Sequence, residues 1–275
     1  MTDRYAVIGN PVAHSKSPQI QAAFARATGQ DMSYERLPAP DDGFVMAVES
    51  FARSGGRGLN VTAPFKLEAF ALAGAHSPRA RLAGAVNTLK RDEGGWFGDN
   101  TDGPGMVSDL TRNLGVALAA HDVLVLGAGG AARGIISSVL AERPRSLTIG
   151  NRTFVKAEAI ARLFASHGPV SPAPFSALAG SSFDVVINAT SAGLMDQSPP
   201  LWPLASVVSG AFAYDMIYAD APTPFRRWAE ANGAARTADG IGMLIEQAAE
   251  SFFLWRGVRP DTAPVFALLC PDGRR

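Results

Sequence analysis

Cysteine is almost missing from this chain of 275 residues: Cys270 stands alone and cannot form an internal disulfide, which excludes a disulfide-stapled fold and fits a reducing compartment. Histidine is scarce as well. His14, His76, His121 and His167 are scattered without ligand spacing, so no metal site is expected. Neither sign of charge prevails, since 25 basic residues balance 25 acidic ones. That leaves neither the basic excess of a nucleic-acid binder nor the acidic excess of a solvating tail. No apolar run reaches membrane-spanning length, and Met1 runs straight into the strand-like Tyr5–Ile8 with no basic-then-apolar leader. Internal repeats and low-complexity tracts are absent too. What these gaps leave is a cytoplasmic protein whose partner is a small molecule, with no nucleic acid and no membrane.

The chain is longer than most single cores, so two domains of about 100 to 150 residues each are expected. Its first part alternates strand and helix: strands over 5–9, 34–37, 58–61 and 84–89, and helices from Pro18, over 44–54 and from the Pro64 turn onward. Such alternation indicates a mainly parallel α/β sheet. From residue 121 a buried strand, His121–Leu126, runs into a glycine-rich stretch and a helix over 135–140. Strands over 146–150, 183–188 and 211–218 follow, with helices over 155–166 and 223–232, an extended piece near Val170, and a Pro-rich surface crossing over 198–203. About 30 residues then remain, too few for a domain, so the helix over 243–255 returns to the first one. The expectation is an α/β protein of two domains: an N-terminal, mainly parallel α/β substrate domain (1–103 plus 240–275) and a Rossmann-type doubly wound NADP-binding domain (104–239). Gly103-Pro104-Gly105 and Gly240-Ile241-Gly242 mark the two crossings.

Asn60-Val61-Thr62-Ala63-Pro64-Phe65-Lys66 reads as a strand end, a tight turn and the opening of a helix, with Pro64 at the first helical position. Lys66 then faces the positive end of the helix dipole, and that placement together with partial burial disfavours its ammonium form. A lysine so tuned can exchange protons near neutral pH; the alternative is a helix-start lysine in water. Ser17-Pro18 reads as an N-cap and first helical residue, whereas Ser15 has no capping duty, and two hydroxyls at a helix mouth suit a carboxylate. Asn87 places an amide in an apolar run. Asp99-Asn100-Thr101-Asp102-Gly103 lacks the alternating carboxylates of a calcium loop. One of its residues caps a helix beginning near Gly105, leaving others for a ligand. Ser15, Ser17, Asn60, Thr62, Lys66, Asn87, Asp102 and Gln247 are all polar groups at strand ends or helix starts, positions that converge on one crevice in open α/β sheets. Hydroxyls, amides, a lysine and an aspartate there suit a small, polyhydroxylated carboxylic acid.

Gly127-Ala128-Gly129-Gly130-Ala131-Ala132, between strand and helix, is the Gly-x-Gly-x-x-Ala form of the dinucleotide fingerprint. Gly127 makes the tight turn, Gly129 admits a pyrophosphate to the backbone, and Ala132 lets helix pack on sheet. About twenty residues on, where an NAD enzyme carries an acid for the ribose 2′-hydroxyl, stands Asn151-Arg152-Thr153. With Lys156 four positions after Arg152, this end offers cations to a 2′-phosphate, so NADP(H) is the expected cofactor. The small residues Ala189 to Gly193 at the next strand end let a nicotinamide lie close to backbone.

Gly9-Asn10-Pro11 with His14-Ser15-Lys16-Ser17-Pro18, Asn60-Val61-Thr62-x-Pro64-Phe65-Lys66, Gly84-Ala85-Val86-Asn87-Thr88, Asp99-Asn100-Thr101-Asp102-Gly103, the Gly127–Gly134 stretch, Asn151-Arg152-Thr153, Asn188-Ala189-Thr190 and Met243-Leu244 with Gln247-Ala248 together resemble the shikimate dehydrogenase family, in order from residue 9 to residue 248. The resemblance implies reversible reduction of 3-dehydroshikimate to shikimate with NADPH, on the way to chorismate and the aromatic amino acids, by a monomer or homodimer. It implies Lys66 and Asp102 as the catalytic pair, with Asp102 fixing the lysine in position. It also implies substrate contacts at Ser15, Ser17, Asn60, Thr62, Asn87, Tyr218 and Gln247. Implied cofactor contacts are Gly127, Ala128, Gly129, Gly130, Ala131, Asn151, Arg152, Thr153, Lys156, Ala189, Thr190, Met216, Gly240 and Met243. Two alternatives stay open: an NAD-using quinate/shikimate dehydrogenase or paralogue acting on a related cyclic acid, and a non-catalytic nucleotide and metabolite sensor.

Overall fold

A computed structural model describes residues 2–190 and 205–270. In chain order they form β1 (Asp3–Gly9), α1 (Ser17–Thr28), β2 (Met32–Pro38), α2 (Phe44–Arg53), β3 (Gly56–Val61), α3 (Lys66–Leu72), β4 (Ala75–His76), α4 (Pro78–Ala83), β5 (Thr88–Asp92), β6 (Gly95–Asp99) and α5 (Asp102–Ser108), which a π-helical turn continues over Asp109–Asn113. Then come β7 (Asp122–Leu126), α6 (Gly130–Ala141), β8 (Ser146–Asn151), α7 (Phe154–Phe164), β9 (Val170–Pro174), β10 (Val185–Asn188), α8 (Ala205–Val208), β11 (Phe212–Asp215), α9 (Pro224–Ala231), β12 (Arg236–Ala238), α10 (Ile241–Arg256) and α11 (Ala263–Leu269). The chain divides into two compact units, one holding residues up to Gly105 and from Leu244 onward, the other Met106–Met243. It passes between them inside α5 and α10, so both crossings are helical.

The first unit is built on a six-stranded sheet in the order β2-β1-β3-β5-β6-β4. β1 runs parallel to β2 and β3, and β4 parallel to β6, while β5 runs antiparallel to both its neighbours. The exception to the parallel pattern has a consequence for the site. In the β5–β6 hairpin Thr88 lies opposite Asp99, and Thr88 also pairs with Asn60 on β3. The residues just before β5, just after β6 and at the end of β3 therefore emerge at one edge of the sheet. Ala6, Ile8, Leu59, Val61 and Leu89 from the strands pack with Phe44, Val48, Phe51 and Phe65 in the core beneath.

All five strand pairs of the second unit are parallel, in the order β12-β11-β10-β7-β8-β9. This is the doubly wound dinucleotide-binding order, with its switch point between β7 and β10. β7 supplies the uninterrupted Val123-Leu124-Val125-Leu126 run that burial on both faces requires, and all four are buried.

Several boundaries differ from those read in the sequence, each for a local reason. The strand expected over 84–89 starts only at Thr88, because Gly84 closes α4 in the left-handed region at φ 59°. The helix after the glycine loop begins at Gly130, five residues before Ile135, since a run of Gly and Ala carries no apolar periodicity to announce a helix. β11 stops at Asp215, whose side chain takes the Ile217 N–H and turns the chain away. β4, α4, β12 and α11 are short and were not anticipated. Ser191 to Gly193 and the Pro-rich stretch over 198–203 lie outside the described residues.

Candidate active site

The turn before Lys66 is tighter than its sequence suggested. The Ala63–Pro64 peptide is cis, the Phe65 N–H donates to the Thr62 carbonyl at 3.1 Å, and α3 starts at Lys66 with Phe65 at its cap. Pro64 therefore belongs to the turn and does not open the helix. Phe65 fixes the turn to the core: it is fully buried and stacks on Phe44 with ring centroids 5.1 Å apart. Lys66, its neighbour, is left at the mouth of α3. Its Nζ lies 2.6 Å from Asp102 Oδ2, with a quarter of the lysine side chain exposed (25%) and the carboxylate nearly covered (9%).

Asp102 is held from behind. The polar cluster before it divides its labour: Asn100 Oδ1 accepts the Asp102 N–H at 3.2 Å and so caps α5, which begins three residues earlier than Gly105. Asp99 is taken up internally by the Arg79 guanidinium at 2.7 and 2.6 Å, the Ser77 hydroxyl at 2.5 Å and the Asn100 N–H at 2.7 Å. Burial works to raise the Asp99 pKa, but Arg79, Ser77 and the backbone donor outweigh it and hold the carboxyl below its ordinary value.

Asn87 ties the cluster together. Its Nδ2 donates to Asp102 Oδ1 at 2.8 Å and to Thr101 Oγ1 at 3.0 Å, while its Oδ1 accepts the Thr101 N–H at 2.8 Å and the Thr88 hydroxyl at 3.0 Å. Gln247, on α10, brings its Oε1 within 3.4 Å of Asn87 Nδ2 and 3.3 Å of Thr101 Oγ1. It comes this close because α5 meets α10 at Gly105, where an added Cβ would lie 2.6 Å from the Gln247 backbone nitrogen. Any larger residue there would push the two helices apart.

The remaining candidates of this unit are Ser15, Ser17, Asn60 and Thr62. Ser17 is not a cap, as Lys16 precedes α1 without a side-chain bond; instead Ser15 Oγ accepts the Ser17 N–H at 3.2 Å, which is the capping duty Ser15 was thought to lack. Arg36 clamps the Ser15 carbonyl at 3.1 and 2.6 Å. Asn60 is buried and bonded on both sides of its amide, accepting from the Tyr34 hydroxyl at 2.7 Å and donating to Ser251 Oγ at 2.9 Å and Thr88 Oγ1 at 3.2 Å. Tyr34 stays a neutral phenol because burial pushes its pKa well up, against the hydrogen bond from Ser17. Asn60 thus links β2, β3, β5 and α10 beside the site. Thr62 sits half-buried at the end of β3, next to the Lys66 turn. Sequence reasoning missed Tyr34, Thr88, Thr101 and Ser251. Ser251, one helical turn after Gln247, was the one member with a positional signal.

In the second unit the glycine loop joins β7 to α6 at the switch point. Gly127 adopts φ +107°, and a Cβ there would meet the Ala189 carbonyl at 3.1 Å and the Thr190 methyl at 3.2 Å. Nothing lies within 4 Å of the positions a Cβ would take at Gly129 or Gly130, so the Gly127–Ala131 stretch, Ala128 included, leaves open space at the N-terminus of a twelve-residue helix. Asn151 ends β8 and donates to the Thr153 carbonyl at 2.9 Å. Arg152 and Lys156 are exposed, and no ion pair joins either to an acid among the described residues. These residues fit a phosphorylated dinucleotide: an anion-receiving loop, and two cations where a 2′-phosphate would come. Ala189 and Thr190 follow β10; Met216 and the half-buried Tyr218 follow β11; the Gly240 N–H donates to the Ile217 carbonyl at 3.0 Å, and Met243 lies buried in α10. Among the described residues no group of three or more His, Cys, Asp or Glu could hold a metal, and no helix is long and apolar enough to cross a membrane.

A doubly wound unit with this loop, joined in one chain to a unit carrying a lysine–aspartate pair, defines a two-domain nicotinamide-dependent oxidoreductase. Family models match along most of the chain: "Shikimate dehydrogenase substrate binding domain" over residues 7–89, "Shikimate / quinate 5-dehydrogenase" over 109–195 and "Shikimate 5'-dehydrogenase C-terminal domain" over 240–266. The chain belongs to the shikimate dehydrogenase family. It is 56% identical, over 272 residues covering 99% of the chain and 100% of the relative, to the shikimate dehydrogenase (NADP(+)) of Alkalilimnicola ehrlichii. Among solved structures it is similar to an Ael1 enzyme from Pseudomonas putida (TM-score 0.91, 48% identity, covering 97% and 98% of the two chains). It is also similar to shikimate 5-dehydrogenase from Thermus thermophilus in complex with NADP(H) and shikimate (TM-score 0.83, 36% identity, covering 95% and 96%).

Proposed function

We propose that this protein catalyses the reversible, NADPH-dependent reduction of 3-dehydroshikimate to shikimate in the cytoplasm, with Lys66 and Asp102 as its catalytic pair. The observation that carries this reading is the 2.6 Å contact between Lys66 Nζ and Asp102 Oδ2, braced through Asn87 at the sheet edge. The cofactor, when bound, supplies the hydride for a ring ketone. Lys66 supplies the proton to the forming alkoxide. Asp102 orients the ammonium group and hydrogen-bonds the reacting hydroxyl region, and Asn87 keeps Asp102 Oδ1 occupied so that Oδ2 faces the lysine. Ser15, Ser17, Thr62, Gln247 and Tyr218 supply hydroxyls and an amide for the substrate's carboxylate and ring hydroxyls, with Asn60 supporting them from behind. The Gly127–Ala131 loop receives the pyrophosphate, Asn151, Arg152, Thr153 and Lys156 the adenosine 2′-phosphate end, and Ala189, Thr190, Met216, Gly240 and Met243 the nicotinamide.

A spectrophotometric comparison of shikimate and quinate, each with NADP+ and NAD+, tests the reading directly. The expected result is fastest oxidation of shikimate with NADP+. Faster oxidation of quinate with NAD+ would replace it with the quinate-type activity, and tight metabolite binding without turnover would make the protein a sensor.

A further inference from the structure

At the carboxyl ends of β10 and β11 two buried side chains in register, Asn188 and Asp215, are bonded to each other, Asn188 Nδ2 donating to Asp215 Oδ1 at 2.9 Å. Each also grips the loop that follows it. Asn188 Oδ1 accepts the Thr190 N–H at 3.1 Å and the Thr190 hydroxyl at 2.8 Å. Asp215 Oδ1 accepts the Ile217 N–H at 3.2 Å, and its Oδ2 accepts the Thr223 hydroxyl at 2.6 Å. Thr223 in turn caps α9 by accepting the Arg226 N–H at 3.2 Å. One carboxylate thus closes the loop from Met216 to Thr223 at both ends and ties its root to the Ala189–Thr190 turn.

Such a clasp is costly to keep. Burial pushes the Asp215 carboxyl up from its ordinary value even against its hydrogen-bond donors, and an apolar pair of side chains would end two parallel strands without that penalty. What the carboxylate adds is a fixed course for a loop that carries Met216 and Tyr218. We infer that Asp215 is a positioning residue for the reaction: it clasps the 216–223 loop and, through Asn188, holds it in register with the Ala189–Thr190 turn. The inference rests on the proposed assignment of Ala189, Thr190, Met216 and Tyr218 to cofactor and substrate.

Asp215→Asn, which keeps the shape but replaces an acceptor oxygen with a donor, tests it in the full-length protein. Hydrogen exchange of residues 216–223 should quicken about tenfold or more, and the KM values for NADPH and shikimate should rise by about tenfold, while the melting temperature moves by a few degrees at most. Combined with Tyr218→Phe, the losses should fall short of multiplying, because both act through one loop. Unchanged exchange overturns the clasp. Quickened exchange with unchanged kinetics overturns its bearing on the reaction. Tyr218→Phe with a normal KM for shikimate places the fault in the assignment of Tyr218, a separate failure. Should Asp215→Asn not fold, Thr223→Val opens one end of the loop alone, and exchange left unchanged there is equally decisive.

Discussion

Lys66 and Arg152 are both cations at the start of a helix, where the dipole opposes them, and their surroundings separate their uses. Lys66 has a carboxylate at 2.6 Å and half-buried surroundings, which suit a group that must be aimed. Arg152 is exposed and has no acidic partner among the described residues, which suits a group that waits for an anion. Lys66→Ala should therefore lower kcat by about 10²- to 10⁴-fold, the range of general acid–base catalysis, with shikimate affinity nearly intact by calorimetry. Arg152→Gln should act on the other substrate. It removes a planar, charge-assisted grip on phosphate, so the KM for NADPH should rise about tenfold while that for NADH stays put. Equal rises for both nucleotides would take Arg152 away from the 2′-phosphate.

Elements decide how well those residues are held. The Thr62–Phe65 turn is anchored by one ring, so Phe65→Ala should cost about 3–5 kcal/mol of stability in urea unfolding, with activity lost as the turn loosens. The end of β6 depends on a charge instead. Because the folded-state pKa of Asp99 lies below its unfolded value, the stabilisation it brings is fully present above the ordinary carboxylate value and is lost as pH falls through the lowered one. Asp99→Asn should thus be less stable than wild type by about 3 kcal/mol near pH 7, and the gap should shrink as unfolding is repeated at pH 4 and below. Elements were also the most legible level of the sequence. Val123 to Leu126 and the glycine loop announced themselves, because a strand buried on both faces needs an unbroken apolar run and a phosphate turn needs Gly127 at positive φ. The internal bonds of Asn60 were not legible, because a buried amide at a strand end reads the same whether its partner is a ligand or a protein hydroxyl. Its partner Ser251 lies 191 residues further along the chain, beyond the reach of any local pattern. The Pro64 error has a similar root, since a proline before a helix reads alike in a first helical turn and in a cis turn.

The chain is built of two compact units, and the glycine loop and the Lys66–Asp102 pair lie in different ones. Ligands should stabilise it accordingly. NADPH at 100 times its dissociation constant should add about 2.7 kcal/mol to the unit that binds it, and NADH at the same concentration much less, as read by thermal unfolding with and without shikimate. A shift with NADH matching that with NADPH would count against the arginine-based preference.

The α10 helix has one more consequence, for the order of events during synthesis. Tyr34, Asn60, Asn87 and Thr101 are all made early, yet the polar cluster that braces Asp102 is closed by Gln247 and Ser251. A ribosome-bound chain reaches those residues only after the whole of Met106–Met243 has emerged, and domains formed along the way fold as units. The doubly wound unit can thus be in place while the sheet edge around Asp102 is still open. Until α10 docks, the polar cluster behind Asp102 is unfinished, however complete the rest of the growing chain.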